Sequence, residues 1–203
     1  MIKNYLNIFL NINIMNAKYV LPVLMALCLV FTAGLFVGSN SNYSAEDAIN
    51  YKATVCAKVI KSTGDVIDLG CQHNLLVDQG KDYILELMSG IDQVGATPGT
   101  DYAKYISLST SSTAPDASWT VIPDEITSGG LARAEGSCTK NAVGNWTCEH
   151  TFTASASFTG VQLTGLNWNG TAGAQSLVAA AQFSAVNLEA NDQLQIKWTI
   201  TVS

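Results

Sequence analysis

Four cysteines are the residues best equipped for chemistry in this 203-residue chain. Cys56, Cys71, Cys138 and Cys148 form two local pairs, while Cys28 sits inside an apolar run and belongs to it. A zinc site wants C-x2-C-type spacing, which neither pair has. An even count in an exported domain reads as disulfides, here Cys56 with Cys71 and Cys138 with Cys148. The two histidines, His73 and His150, each lie beside a cysteine-bearing segment. Without H-E-x-x-H or H-x-H spacing they read as half-exposed strand residues rather than as ligands or acid–base groups.

Other chemistry-bearing patterns are sparse. No G-x-S-x-G, P-loop or G-x-G-x-x-G occurs. Asp65, Asp68, Asp116 and the pair Asp124-Glu125 are carboxylates near turns; none forms a calcium loop, and solvated turn positions are the expected reading. Nothing selects a carboxylate pair for glycoside hydrolysis. The expectation is a protein that is not an enzyme, with no catalytic, cofactor-binding or metal-binding residues. The pattern N-x-[ST] occurs at Asn42, Asn145 and Asn169. These are candidate glycosylation acceptors, although a chain this rich in Asn, Ser and Thr produces about as many by chance. Asn145 and Asn169 fall in expected loops, where a glycan would be tolerated. Trp119, Trp146 and Trp168 stand near loops; packing is the leading reading, ahead of a ligand-stacking role.

Composition narrows the classes. Charged residues make up 13% of the chain, against roughly 25% in an ordinary soluble domain. Within the first 38 residues only Lys3 and Lys18 carry charge. Thr, Ser, Ala, Gly and Val dominate the rest, a composition suited to extracellular β structure. The formal net charge is −6, and no Lys/Arg cluster exists, which argues against nucleic-acid binding. The negative charge serves solubility.

Residues Tyr19–Gly38 run for 20 positions without a charge. As a helix that run is about 30 Å long, enough to cross a bilayer. A secretory signal core spans only about 7–15 residues, so the segment stands between a long signal peptide and a membrane anchor. Lys18 before it and the polar Ser39-Asn40-Ser41-Asn42 after it place residues 39–203 outside the membrane. Cleavage near Ser39 would free the remainder; otherwise the membrane is a partner through residues 19–38. Residues 1–14 are almost only Asn, Ile and Leu, as translated AT-rich DNA would be, and Met15 is the expected true start. The organisation is therefore 1–38 signal peptide or anchor, 39–51 polar linker, and 52–203 folded domain.

The elements that position the cysteines read as strands. Leu194, Ile196, Trp198, Ile200 and Val202 alternate with polar residues, a period of two that buries one face. Glu189-Ala190-Asn191-Asp192 reads as a turn, which predicts a hairpin of Leu177–Leu188 with Gln193–Val202. A parity change in its first arm predicts a bulge near Ala185. A second hairpin is expected from Leu131–Thr139 with Trp146–Thr159. With Cys138 facing Cys148, Ala134 faces Phe152, Ala132 faces Ala154, and Arg133 falls on the opposite face. A third pairs Lys52–Ile60 with Val66–Cys71, Cys56 facing Cys71; there Lys58 shares a face awkwardly with Leu69 and Ile67. A helix opens at Asp78–Asp82 and ends at Gly90. Tyr105–Ser109 and Val161–Trp168 are further strands. The sum is an all-β, antiparallel two-sheet sandwich, jelly-roll or immunoglobulin-like, with one short helix and a single apolar N-terminal helix ahead of it. A small barrel is second.

Several short motifs carry a resemblance. His73-Asn74-Leu75-Leu76 precedes Gly80 and the helix, and Tyr105-Ile106-Ser107-Leu108-Ser109 follows. Then come Glu125, Leu131-Ala132-Arg133-Ala134, and Asn191-Asp192-Gln193-Leu194 leading into Trp198-Thr199-Ile200-Thr201-Val202. Over residues 70–203 the chain resembles a loosely defined group of phage-tail-like and microbial cell-surface β-sandwich structural proteins. That resemblance implies a surface protein without enzymatic activity, and the apolar segment shifts the expectation toward a cell surface. Three readings follow. The first is a structural subunit of a coat or pilus-like filament that self-associates, one form of which lends residues 39–60 to a neighbour's sheet edge. The second is a binding module or adhesin recognising glycan or protein through loops 91–103 and 110–130. A secreted hydrolase comes last.

Overall fold

Alternation of apolar and polar residues does most of the building. Strand β1 (Tyr51–Ile60) buries Ala53, Val55, Ala57 and Val59 and turns Thr54, Cys56 and Lys58 to its other face. The final strand, β10 (Gln193–Val202), buries Leu194, Ile196, Trp198 and Ile200 in the expected pattern. The two pair antiparallel along their whole length, from Tyr51 opposite Val202 to Ile60 opposite Gln193. The computed structural model describes residues 50–203. The run Tyr19–Gly38, the Met15 start and nearly all of the linker lie outside the described residues. Among the described residues no helix is long and apolar enough to cross a membrane.

Beyond β1 lies β2 (Val66–His73); beyond β10 lies β7 (Asn145–Thr153), and then β6 (Ser137–Ala142). The first sheet therefore has the order β2-β1-β10-β7-β6. The second contains β3 (Leu75–Leu76), β9 (Leu177–Leu188), β8 (Phe158–Asn167), β4 (Tyr105–Ser109) and β5 (Ala134–Glu135), in that order. Every pairing is antiparallel. The core joins Val55, Phe152, Ile196 and Trp198 of the first sheet to Ile106, Leu108, Leu166 and Phe183 of the second. Burying each such side chain contributes about 1.5–3 kcal/mol. The mostly β, two-sheet architecture with one short helix is the expected one.

The second sheet is covered on its outer face as well, so β9 reads Leu177 to Ala181 as five consecutive buried residues. Helix α1 (Asp78–Ser89) provides part of that cover. Tyr83 stacks on Trp168 with centroids 4.9 Å apart, and both pack with Val178. Gly80 lies so close to β9 that a Cβ there would sit 2.0 Å from the Val178 carbonyl oxygen. Gly90, left-handed at φ 69°, ends the helix as expected.

Four expectations about pairing are corrected. First, β9 and β10 are not a hairpin: they belong to different sheets. The turn at 189–192 closes through the Asp192 N–H to the Glu189 carbonyl, and the chain crosses the sandwich there. The bulge expected near Ala185 is present, since the β8–β9 register shifts between Val161 opposite Val186 and Leu163 opposite Gln182. Second, Cys138 does face Cys148, but the pairing does not continue upstream of Ser137. Ala134 lies opposite Ile106 in the second sheet, and the chain changes sheets at Gly136, whose N–H bonds the Lys104 carbonyl. Downstream, the long arm breaks at 154–157 and resumes as β8. Third, Lys58 faces Asp68, not Leu69. An extra residue at Leu69–Gly70 bulges β2, with Gly70 at φ 75° and its N–H held by the Asp68 carboxylate. The awkward grouping of Lys58 with Leu69 and Ile67 disappears. Fourth, Lys52–Ile60 is seated between β10 and β2 of its own chain, so lending it to a neighbour means dismantling both ladders.

Candidate functional site

The two expected disulfides are formed, Cys56–Cys71 and Cys138–Cys148, closing spans of 15 and 10 residues. Their placement in the sheet is the informative point. Each joins an edge strand of the first sheet to its inner neighbour: β2 to β1 at one edge, β6 to β7 at the other. All of β6 and nearly all of β2 is exposed, so these strands have little burial to hold them. On the chain-entropy model each link contributes about 3 kcal/mol.

Below β5 lies a polar knot that sequence reading missed. The Arg133 side chain is fully buried and grips Glu125 through two hydrogen bonds of 2.8 Å, Nε to Oε1 and Nη2 to Oε2. Nη1 donates to the Asn169 carbonyl and to Ser176 Oγ, each at 2.9 Å. Glu125 Oε2 also accepts the Gly173 N–H. One ion pair thereby ties the 110–133 connection, the start of β5 and the 168–176 loop. Glu125 is not the solvated turn residue expected, and Arg133 is not part of the expected hairpin with 146–159. Neither partner has a local sequence signal, because the pair closes only when the chain changes sheets. Together with buried Ile122 and Leu131, the knot pins much of 110–133 to the second sheet. The segment is a loop, as expected, held firmly from beneath while many of its residues remain exposed.

A second knot sits at the opposite turns. Buried Asp192 accepts from Lys61 Nζ at 2.7 Å, from the Ser62 N–H at 2.8 Å and from the Glu189 N–H at 2.9 Å. The Lys61 ammonium, followed by the two backbone N–H groups, holds its carboxyl down at about 2.

Among the described residues, two of the surface grooves are the roomiest of those lined by named residues. An apolar one of about 410 Å³ runs between α1 and the β6–β7 edge, lined by Tyr83, Leu87, Tyr102, Ala103, Cys138 and Trp146, with Lys104 beside them. Tyr102 is 54% exposed and Leu87 37%. Tyr83 donates its hydroxyl to the Asp101 carbonyl at 2.7 Å, and burial pushes its phenol up to about 12. Lys104 is engaged with Glu135 at 2.7 Å, which raises its ammonium above its ordinary value. The other groove is polar, follows β6 and β7, and carries Ser137, Thr139, Thr147, Glu149 and Thr151.

The remaining candidates are scattered. His73 ends β2, exposed; His150 packs edge-on against Phe152, with Nδ1 2.9 Å from the Glu135 carbonyl oxygen. Asp65 and Asp68 lie in and beside the β1–β2 turn, while Asp116 accepts from the Ser118 N–H and hydroxyl, which lower its pKa. Trp168 is core, Trp119 packs against Val77 and Leu177, and Trp146 lines the apolar groove. Asn169 occupies a loop as expected, but Asn145 opens β7; Asn42 lies outside the described residues. Among the described residues no group of three His, Cys, Asp or Glu is placed to hold a metal ion. Comparisons with protein-family models, curated proteins and solved structures found no match.

Proposed function

We propose that this chain is an exported structural protein of a cell or virion surface, acting as a subunit that self-associates outside the cytoplasm. The observation that carries the reading is the disulfide at each edge of the first sheet. Two intramolecular disulfides are compatible with an extracytoplasmic location, where such bonds persist. Riveted edges suit a domain that must keep its sheet intact under mechanical or proteolytic stress. Edge strand β2 also leaves Val66 and Ile67 59% and 46% exposed, an apolar edge of the kind that neighbours cover. The resemblance of residues 70–203 to phage-tail-like and microbial surface sandwiches points the same way, and so does the absence of a recognisable catalytic motif in the sequence.

A second reading, an extracellular binding module, is favoured by the apolar groove. Its volume suits a small ligand or a peptide side chain, and Tyr102 and Trp146 offer aromatic surface. Electron microscopy of the full chain purified from its native surface discriminates between the two. Filaments or lattices support the structural subunit. A stable monomer retained by immobilised glycans, with retention lost in Tyr102→Ala, supports the module and overturns the first reading.

A further inference from the structure

The sequons that the sequence leaves equivalent are unlike in the folded domain. Asn145 is half-buried at the start of β7, opposite Thr201 on one side and Ala142 on the other. Its Nδ2 donates to Thr201 Oγ1 at 2.9 Å, and its Oδ1 accepts from Asn141 Nδ2 at 2.8 Å. A sugar on Nδ2 would lie where Thr201 of β10 now stands. Carrying it costs that hydrogen bond and separates the end of the β7–β10 ladder.

Asn169 is exposed, as are Gly170 and Thr171. Its Oδ1 accepts the Thr171 N–H at 2.8 Å, and no hydrogen bond engages its Nδ2 among the described residues. The loop around it is held from beneath: the Asn169 carbonyl accepts from Arg133, the Gly173 N–H donates to Glu125, and Gly170 packs on the Tyr105 ring. A glycan at this amide therefore extends into solvent without disturbing any contact of the fold.

We propose that Asn169 is the N-glycosylation acceptor of this domain and that Asn145 is not. The donor class is an oligosaccharide carried on a polyprenyl diphosphate. Asn169 Nδ2 forms a bond to the anomeric carbon and loses one proton; the bond from that carbon to the phosphate oxygen breaks, and the lipid diphosphate leaves with the electron pair. The assignment rests on the export reading above, since such donors are used across an exporting membrane.

The test is to produce the full chain in cells with an N-glycosylating export route and map glycopeptides by mass spectrometry, with iodoacetamide labelling of unreduced protein in parallel. Within residues 50–203 the expected result is one glycan, on the peptide holding Asn169, absent in Thr171→Val and in Asn169→Gln and unaffected by Asn145→Gln. Thr171 is exposed and its side chain makes no hydrogen bond among the described residues, so the first variant folds normally. Exported protein with both disulfides closed and Asn169 bare, or with a glycan on Asn145, overturns the assignment while leaving the export reading standing. Protein retained in the cytosol with Cys56, Cys71, Cys138 and Cys148 all labelled overturns both.

Discussion

Two buried carboxylates, Asp192 and Glu125, each tie together segments far apart in sequence, and they fail in different ways. Asp192 binds two turns at once, and its folded pKa of about 2 lies below the unfolded value near 3.9. A depressed acid contributes stability that is fully present above the unfolded pKa and is lost as pH falls through the folded one. Thermal unfolding followed from pH 5 to pH 2 should therefore show a loss of stability between about pH 4 and pH 2, and Asp192→Asn should flatten that part of the profile. A profile unchanged by the substitution would show that the carboxylate is not clasped by Lys61. Glu125 and Arg133 are a different case, because their side chains are 4% and 0% exposed. Removing one partner strands a buried charge at a cost of about 3–5 kcal/mol, whereas apolar replacement of both is far milder. Arg133→Met should destabilise strongly in urea titration, and Glu125→Leu combined with Arg133→Met should recover most of the loss. Equal destabilisation by the single and double variants would mean that the hydrogen bonds to the 168–176 loop, and not the stranded charge, set the cost.

Among the elements, helix α1 depends on one missing methyl group. The 2.0 Å gap from a built Cβ at Gly80 to the Val178 carbonyl oxygen involves backbone on both sides, so neither can yield cheaply. Gly80→Ala, a change that favours an exposed helix by about 1 kcal/mol, should here destabilise the fold and disturb the Tyr83–Trp168 stack, visible in near-ultraviolet circular dichroism. What the sequence makes legible is local. The alternation of β10, the helix and its Gly90 end, and the facing of each cysteine pair follow from spacing alone. Partner choice between sheets is not local. Gln193–Val202 and Leu177–Leu188 look like hairpin arms in any window, yet the first pairs with β1 and β7 and the second with β8 and β3, and the Asp192 clasp to Lys61, 131 residues away, holds the turn where they part. The same limit hid the Arg133 knot and the apolar groove, whose lining comes from α1, the 102–104 segment and the β6–β7 hairpin.

At the scale of the whole molecule, the two sheets are stabilised by different means. The second is buried on both faces along Leu177–Ala181 and Leu163–Asn167 and has edge strands of only two residues, β3 and β5. The first has longer and largely exposed edge strands, so its edges rely on covalent links. Two links of about 3 kcal/mol each are a large fraction of the 5–15 kcal/mol by which a domain is normally stable. Reduction should therefore do more than lower the melting temperature by roughly 2–4 °C per kcal/mol lost. Hydrogen exchange should rise first and most in β2 and β6, by the opening of edges alone, while amides of β10 and β8 stay protected at temperatures well below global melting. Opening of β2 would uncover the outer side of β1 and leave a pairing edge next to exposed Val66 and Ile67, so the reduced protein should also aggregate faster than the oxidised form. Uniform acceleration across both sheets on reduction would show that the disulfides stabilise the domain globally and do not guard its edges, and the structural reading of their placement would lose its footing.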